Sequence, residues 1–268
     1  MSSNPDSWVY GDFAPDPDAH DLIGLKSRWI VQQMPRDVSS VLDYGSGEGK
    51  YLQLVHKIRP HARRVGIDVR DAHRELDYEF HRVDPNAPLP FQANTFDAVI
   101  SCDVLEHVES IEGSLDEIQR VLRPGGSFIG FVPVEGGAGA HAFFRLLNKN
   151  IYRETKDHNH AYTHRELRAW FASRFRIERF AYSYHVFGGT LDAVFFASFK
   201  APGIGRRMEE FWRGQENPFY RGESDAAARP SVVGRLAKLA NRLAYHESRL
   251  LQNVSWSASG LHFHVRKA

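Results

Sequence analysis

Between Val41 and Ile58 an apolar segment, Val41-Leu42-Asp43, runs through glycines at alternate positions, Gly45, Gly47 and Gly49, into a stretch with apolar residues at helical spacing. A strand that breaks into a glycine loop and re-enters a helix narrows the choice of fold more than any other feature of the chain. Glycine admits left-handed dihedrals and lets backbone approach a ligand without a Cβ clash, and the amides at a helix N-terminus then face the ligand's polar groups. The same rhythm continues. Val65-Gly66-Ile67-Asp68, Phe80 to Val83, Phe96 to Ser101 and Ser127 to Val132 read as short buried strands. Leu115 to Leu122 reads as an amphipathic helix, after which Pro124-Gly125-Gly126 turns the chain. Thr163, three residues before Glu166, makes a capping box for a helix through Phe171, and Ile177 to Tyr184 is a sixth strand. Alternation of this kind requires crossover connections and a parallel sheet covered on both faces. The expected fold is therefore α/β: a Rossmann-like doubly wound sheet of about seven strands, with a helical insertion before the last.

The same reading divides the chain. Residues 1–36 form an N-terminal helical lid, 37–184 a nucleotide-binding domain and 185–257 a helical and aromatic insertion. Residues 258–268 are a terminal strand, Gly260 to Val265, expected at the sheet edge. A hydrophobic fraction of 42% in 268 residues is enough for one good core. The single cysteine, Cys102, excludes an internal disulfide. Met1 to Pro17 has neither a basic nor an apolar signal region, so a cytoplasmic setting is the expectation, with a membrane-peripheral one as the alternative. The net charge of +1 hides an asymmetry: from Lys200 onward 12 Lys/Arg stand against 6 Asp/Glu, a net +6 that suits an anionic partner.

A nicotinamide-binding motif, G-x-G-x-x-G, would place its third glycine at position 50, but that residue is Lys50 and the glycine is Gly49. Asp43-x-Gly45-x-Gly47-x-Gly49 instead resembles the first motif of the class I S-adenosylmethionine-dependent methyltransferases, type 11-like. Four further segments resemble that family in order: Gly66-Ile67-Asp68, Val83-Asp84-Pro85, Phe96 to Ser101 followed by Val104-Leu105-Glu106-His107-Val108, and Leu122-Arg123-Pro124-Gly125-Gly126. The resemblance covers about residues 38–184. It implies S-adenosylmethionine as cofactor, held by Asp43, Gly45, Gly47, Gly49, Asp68, Asp84, Ser101 and Asp103. In it Asp68 accepts from the ribose hydroxyls, and Asp84 accepts from the exocyclic amine of adenine.

Candidates for the acceptor side are His107, just past the fourth strand, and His158 and His160 in a polar loop before the capped helix. An oxygen acceptor benefits from such a base. Tyr10, Lys26 and Arg28 are candidates for the cofactor's carboxylate, with a lid or surface role as the alternative for each. His262 and His264, on one face of the last strand, read as surface residues, and no metal site is expected. Phe195 to Phe199 suggest aromatic lining of an acceptor channel or a shallow interfacial contact. In the insertion, Val232, Leu236, Leu239, Leu243, Leu250 and Val254 form a helical stripe beside Arg235, Arg242 and Arg249, with Lys238 nearby. That helix either packs its leucines on the core, the commoner arrangement, or lies peripherally on an anionic membrane. The expected activity is methylation, O-directed, of a small-molecule, lipid-linked or glycan acceptor. The alternative is a catalytically silent cofactor-binding regulatory protein. Nucleic acid is disfavoured as acceptor, because basic residues do not cluster with stacking aromatics.

Overall fold

The computed structural model describes residues 16–71, 77–85, 87–134, 142, 160, 162–199, 203 and 232–268. Its elements are α1 (Leu22–Gln33), β1 (Ser40–Tyr44), α2 (Lys50–Ile58), β2 (Arg63–Asp68), β3 (Glu79–Arg82), β4 (Phe96–Cys102), α3 (Ile111–Val121), β5 (Leu122–Pro133), α4 (His164–Arg174), β6 (Arg176–Ser183), α5 (Val186–Phe199), α6 (Val232–Leu250) and β7 (Gly260–Arg266). One seven-stranded sheet has the order β3-β2-β1-β4-β5-β7-β6. Parallel pairing joins β3, β2, β1, β4 and β5, and β7 runs antiparallel to both β5 and β6. The chain leaves β1 toward β2 and β3, then crosses back to β4. The switch point therefore lies at the carboxyl ends of β1 and β4, where open α/β sheets bind ligands.

The strands alternate apolar residues between two buried layers. Leu42, Val99, Phe128 and Phe263 face α3 and α4, packing with Leu115, Ile118, Leu167 and Phe171. Val41, Ala98, Ile100 and Ile129 face α1 and α2, packing with Trp29, Ile30, Leu52 and Val55. In the first layer the Phe263 ring lies 4.7 Å from those of both Phe128 and Phe171. The capping box of α4 forms: Thr163 accepts from the Glu166 amide at 3.2 Å, and the Glu166 carboxylate accepts from the Thr163 amide at 2.8 Å.

Three details correct or extend the sequence reading. β7 is not at the edge but between β5 and β6, so both its ladders are paired and both its faces are covered. Its histidines alternate with Leu261, Phe263 and Val265, which imitates a strand with one wet face. In fact His262 and His264 are buried. His262 bonds Ser183 at 2.9 Å, and His264 bonds Ser127 at 3.1 Å and Gln33 at 3.2 Å. The aromatic run after Tyr184 has helical backbone as α5, because its missing local cap is supplied from elsewhere: the Glu247 carboxylate of α6 accepts from the Phe187 and Gly188 amides, each at 2.8 Å. The side chains of residues 195–199 lie outside the described structure. Finally, α6 does not pack its leucines inward. It buries Asn241, Ala244, Tyr245 and Ser248, which are small or hydrogen-bonding, because the facing α1 offers polar groups. Asn241 accepts from the Leu22 amide at 3.0 Å, and Arg28 donates to the Tyr245 hydroxyl at 2.6 Å.

Burial, with the nearby positive charges of Lys26 and Arg266 respectively, lowers His262 to about 3 and His264 to about 4. In the unfolded chain both take up a proton near pH 6.5, whereas the folded chain refuses it until lower pH. The stability that their neutral forms provide is therefore complete above about pH 6.5 and lost as pH falls toward 4. Urea midpoints measured at pH 7 and pH 5 should show a loss in the wild type that shrinks in a His262→Asn/His264→Asn double variant. Equal losses in both proteins would assign the acid sensitivity elsewhere.

Candidate functional site

The glycine loop leaves β1 under tight steric demands. Gly45 has φ +78°, and a Cβ there would lie 2.4 Å from Val104, in the segment after β4. Gly49 has φ +71°, and its Cβ would lie 2.3 Å from the Tyr78 ring. These two glycines seat the loop against its neighbours through both backbone conformation and space. The amides of Gly45 and Ser46 donate to the Ile67 carbonyl at 2.9 Å each. Gly47, φ +51°, donates its amide to Oδ2 of Asp68 at 2.9 Å, while the Arg70 amide donates to Oδ1 at 3.1 Å. Two backbone donors thus fix the Asp68 carboxylate at the end of β2. Side chains cap α1, α3 and α4, but α2 begins at Gly49 with no side-chain cap, so its first amides open toward the loop.

Charged groups converge on this point. Asp43 is buried at the end of β1, and its Oδ2 has no hydrogen-bond partner among the described residues. Burial pushes its carboxyl up to about 7, against the pull of Lys50 and with the repulsion of Asp68. The hydroxyl of Ser101, buried on β4, is likewise without a partner among the described residues. Asp103, in left-handed conformation at φ +57°, accepts from the Lys26 ammonium at 2.7 and 2.5 Å. Lys26 comes from α1 and lies 4.1 Å above the Phe131 ring. Burial opposes its charge, but Asp103 and then Tyr184 hold it above its ordinary range. Burial lowers Lys50, although Asp103 partly opposes the shift. Three carboxylates and two ammonium groups therefore share one largely dry end of the sheet, where electrostatic interactions are strong.

The structure gathers Asp43, Gly45, Gly47, Gly49, Asp68, Ser101 and Asp103 at the ends of β1, β2 and β4. Asp84 follows β3 and is exposed, at the outer margin of the same end. Among the carboxylate candidates Lys26 reaches this region, whereas Arg28 is engaged by the Pro17 carbonyl and the Tyr245 hydroxyl. Tyr10 and His158 lie outside the described residues. His107 is exposed, its Nε2 4.0 Å from the buried carboxylate of Glu106. His160 lies over the same segment: its amide donates to the Glu106 carbonyl at 3.1 Å, its Nε2 is 3.1 Å from the Glu109 carbonyl, and its ring stacks on Tyr162. Lys50, drawn toward Asp103, and Tyr78, whose ring lies against the glycine loop, were not singled out from the sequence. Lys50 had a signal, since it occupies the position where a dinucleotide motif needs glycine. Among the described residues no group of three or more His, Cys, Asp or Glu is placed to hold a metal.

Comparison with known proteins bears on the domain and the fold. The methyltransferase-domain family profile matches residues 42–130. Over 132 residues the chain is 32% identical to the mouse mitochondrial arginine-hydroxylase NDUFAF5, covering 43% of this chain and 36% of that one. Over 118 residues it is 31% identical to the ubiquinone/menaquinone biosynthesis C-methyltransferase UbiE of Desulfotalea psychrophila, covering 39% and 47%. The chain thus spans less than half the length of either relative. Among solved structures, phosphoethanolamine N-methyltransferase 2 of Haemonchus contortus, in complex with S-adenosyl-L-methionine, superposes with a TM-score of 0.57 at 14% identity over 98% of this chain and 56% of that one. That likeness concerns the fold. Residues 42–130, which hold the glycine loop, thus carry a methyltransferase domain, on a sheet with the Rossmann-like order of that fold.

Proposed function

We propose that this protein binds S-adenosylmethionine across the carboxyl ends of β1, β2 and β4 and methylates a small, lipid-linked or glycan acceptor, with oxygen as the expected methyl-accepting atom. The observation that carries the proposal is the pair of unpartnered buried polar atoms, Asp43 Oδ2 and Ser101 Oγ, beside the glycine loop. A buried group left without a bond costs about 1–3 kcal/mol, so both fit a site completed by a polar ligand. In this reading Asp68, held by the Gly47 and Arg70 amides, accepts from the ribose hydroxyls. Asp84 accepts from the adenine amine. Lys26 faces the carboxylate of the methionine part, and Asp103 keeps that lysine charged and in place. When bound, the cofactor supplies a methyl group on a positively charged sulfur. The protein's share of the work is alignment: rigid strands and a fixed loop hold the reacting groups in line, which can lower a barrier greatly without further chemistry.

The relatives bear on the acceptor unevenly. UbiE is named a C-methyltransferase of quinone biosynthesis, which supports an apolar acceptor and makes a carbon nucleophile the competing outcome. NDUFAF5 is named an arginine-hydroxylase, so similarity over this region does not by itself specify methyl transfer; the second reading is cofactor binding without methyl transfer, in a regulatory or partner-binding role. Among the described residues no helix is long and apolar enough to cross a membrane.

Incubating the protein with methyl-labelled cofactor and with polar and lipid extracts tests the activity. Label should move to an acceptor in one of them. If oxygen is the nucleophile, alanine at one of His107, His158 or His160 should slow turnover by about 10²–10⁴-fold, the usual worth of a positioned base. Unchanged turnover in all three would leave either alignment alone or a different base as the explanation. Tight cofactor binding with no labelled product from either extract would favour the silent reading.

A further inference from the structure

We propose that the outward face of α6 docks on the surface of an anionic lipid bilayer, which deepens the lipid-acceptor reading above. An amphipathic helix of a globular protein ordinarily turns its leucines to the core. This one does the reverse. Leu236, Leu239, Leu243 and Leu250 are 61%, 55%, 52% and 84% exposed, while Asn241, Ala244, Tyr245 and Ser248 are buried. Scattered apolar residues on a surface are ordinary, but these fall on one stripe, at successive spacings of three, four and seven residues, and contiguous patches mark interaction sites. The patch extends beyond the helix. Glu247, between Leu243 and Leu250 on the helix surface, holds the first amides of α5 and so brings Val186 and Phe187, each 43% exposed, to the end of the stripe. Trp256, just past α6, is 74% exposed, and tryptophan favours the level of the lipid headgroups.

Charge selects the occupant. Arg235, Lys238, Arg242 and Arg249 are all exposed and lie roughly 100° around the helix from the leucines, at about 100° per residue. The single acidic residue of α6, Glu247, is committed to α5. Leucines flanked by long basic side chains match an interface in which the apolar stripe sinks to the acyl boundary and the cations reach back to anionic headgroups. A second copy of the chain would satisfy the leucines but bring one band of four cations against another. Because α6 also holds α1 through Asn241 and Tyr245, and α1 carries Lys26, docking there would place the cofactor site close to the bilayer.

The test is sedimentation of the full chain with vesicles of phosphatidylcholine alone and of phosphatidylcholine mixed with phosphatidylglycerol, without cofactor or acceptor, so that it stands or falls apart from methyl transfer. Binding should favour the anionic vesicles and weaken as salt rises. Each basic side chain near such a surface contributes about 1 kcal/mol, roughly fivefold. Replacing Arg235, Lys238, Arg242 and Arg249 with Gln should therefore weaken binding by on the order of 10²–10³-fold. A Leu236→Ser/Leu239→Ser/Leu243→Ser variant should lose binding with its thermal midpoint unchanged, since those side chains support nothing beneath them. Three outcomes would overturn the proposal: no sedimentation with anionic vesicles at low salt, equal binding to both vesicle types, or a dimer in solution that the leucine variant dissociates.

Discussion

Gly47→Val and Asp68→Ala are each expected to reduce S-adenosylmethionine affinity by at least about 100-fold, the scale on which a loss of charged and backbone hydrogen bonds acts. The two changes strike one joint from both sides, since the Gly47 amide donates to the Asp68 carboxylate at 2.9 Å. Gly47 has φ +51°, a conformation that costs a residue with a side chain about 1–2 kcal/mol, so the valine variant should melt a few degrees lower. Asp68→Ala carries no such strain but takes the acceptor from the Gly47 and Arg70 amides, so it too should melt modestly lower while staying folded, and affinity is measured at a temperature where both variants are folded. Calorimetry giving wild-type affinity in both variants would remove the glycine loop and Asp68 from the binding site.

Asp43→Asn should produce the opposite pairing: a more stable protein that binds cofactor worse. In the folded chain burial raises Asp43 from 3.8 to about 7. The folded state therefore keeps a proton that the unfolded state releases above pH 4, so stability from this group falls as pH rises from about 4 to 7 and stays low above that. At roughly 1.4 kcal/mol per pH unit, removing the carboxylate should stabilise the cofactor-free protein at pH 8 by about 2–4 kcal/mol and much less at pH 5. Lys50 works against the full gain, because its ammonium loses a counter-charge. Cofactor affinity should drop at the same time, since the buried carboxylate oxygen without a partner is the feature that fits a polar ligand. A variant that is destabilised at pH 8 and binds cofactor normally would show Asp43 to be a structural residue.

The sheet was legible because its strands are short, apolar and punctuated, and because the glycine loop fixes where the first helix starts. Even the Thr163 and Glu166 cap could be read, since both partners lie within one turn. What escaped depends on partners distant in sequence. Glu247 caps α5 from about sixty residues away, and a Phe-rich stretch without a local cap gives no sign of that. His262 and His264 show the limit of period-two patterning: polar residues alternate with apolar ones in β7, yet Ser183, Ser127 and Gln33 let both faces be buried. The α6 stripe was visible, but its direction was not, because Asn241 and Tyr245 pair with α1 across more than two hundred residues. At the site, Asp43, Asp68 and the glycines were named by the family resemblance of the motifs that contain them. The ion pair of Lys26 with Asp103 needed the fold to bring α1 over β4.

The most direct measurement is a calorimetric titration of the purified wild-type chain with S-adenosylmethionine, with its demethylated product and, separately, with NAD. Saturable binding of one S-adenosylmethionine per chain, retained by the demethylated product and absent for NAD, is the expected result. Binding of NAD in preference, or no heat with S-adenosylmethionine from a protein shown to be folded, would contradict the assignment of this site.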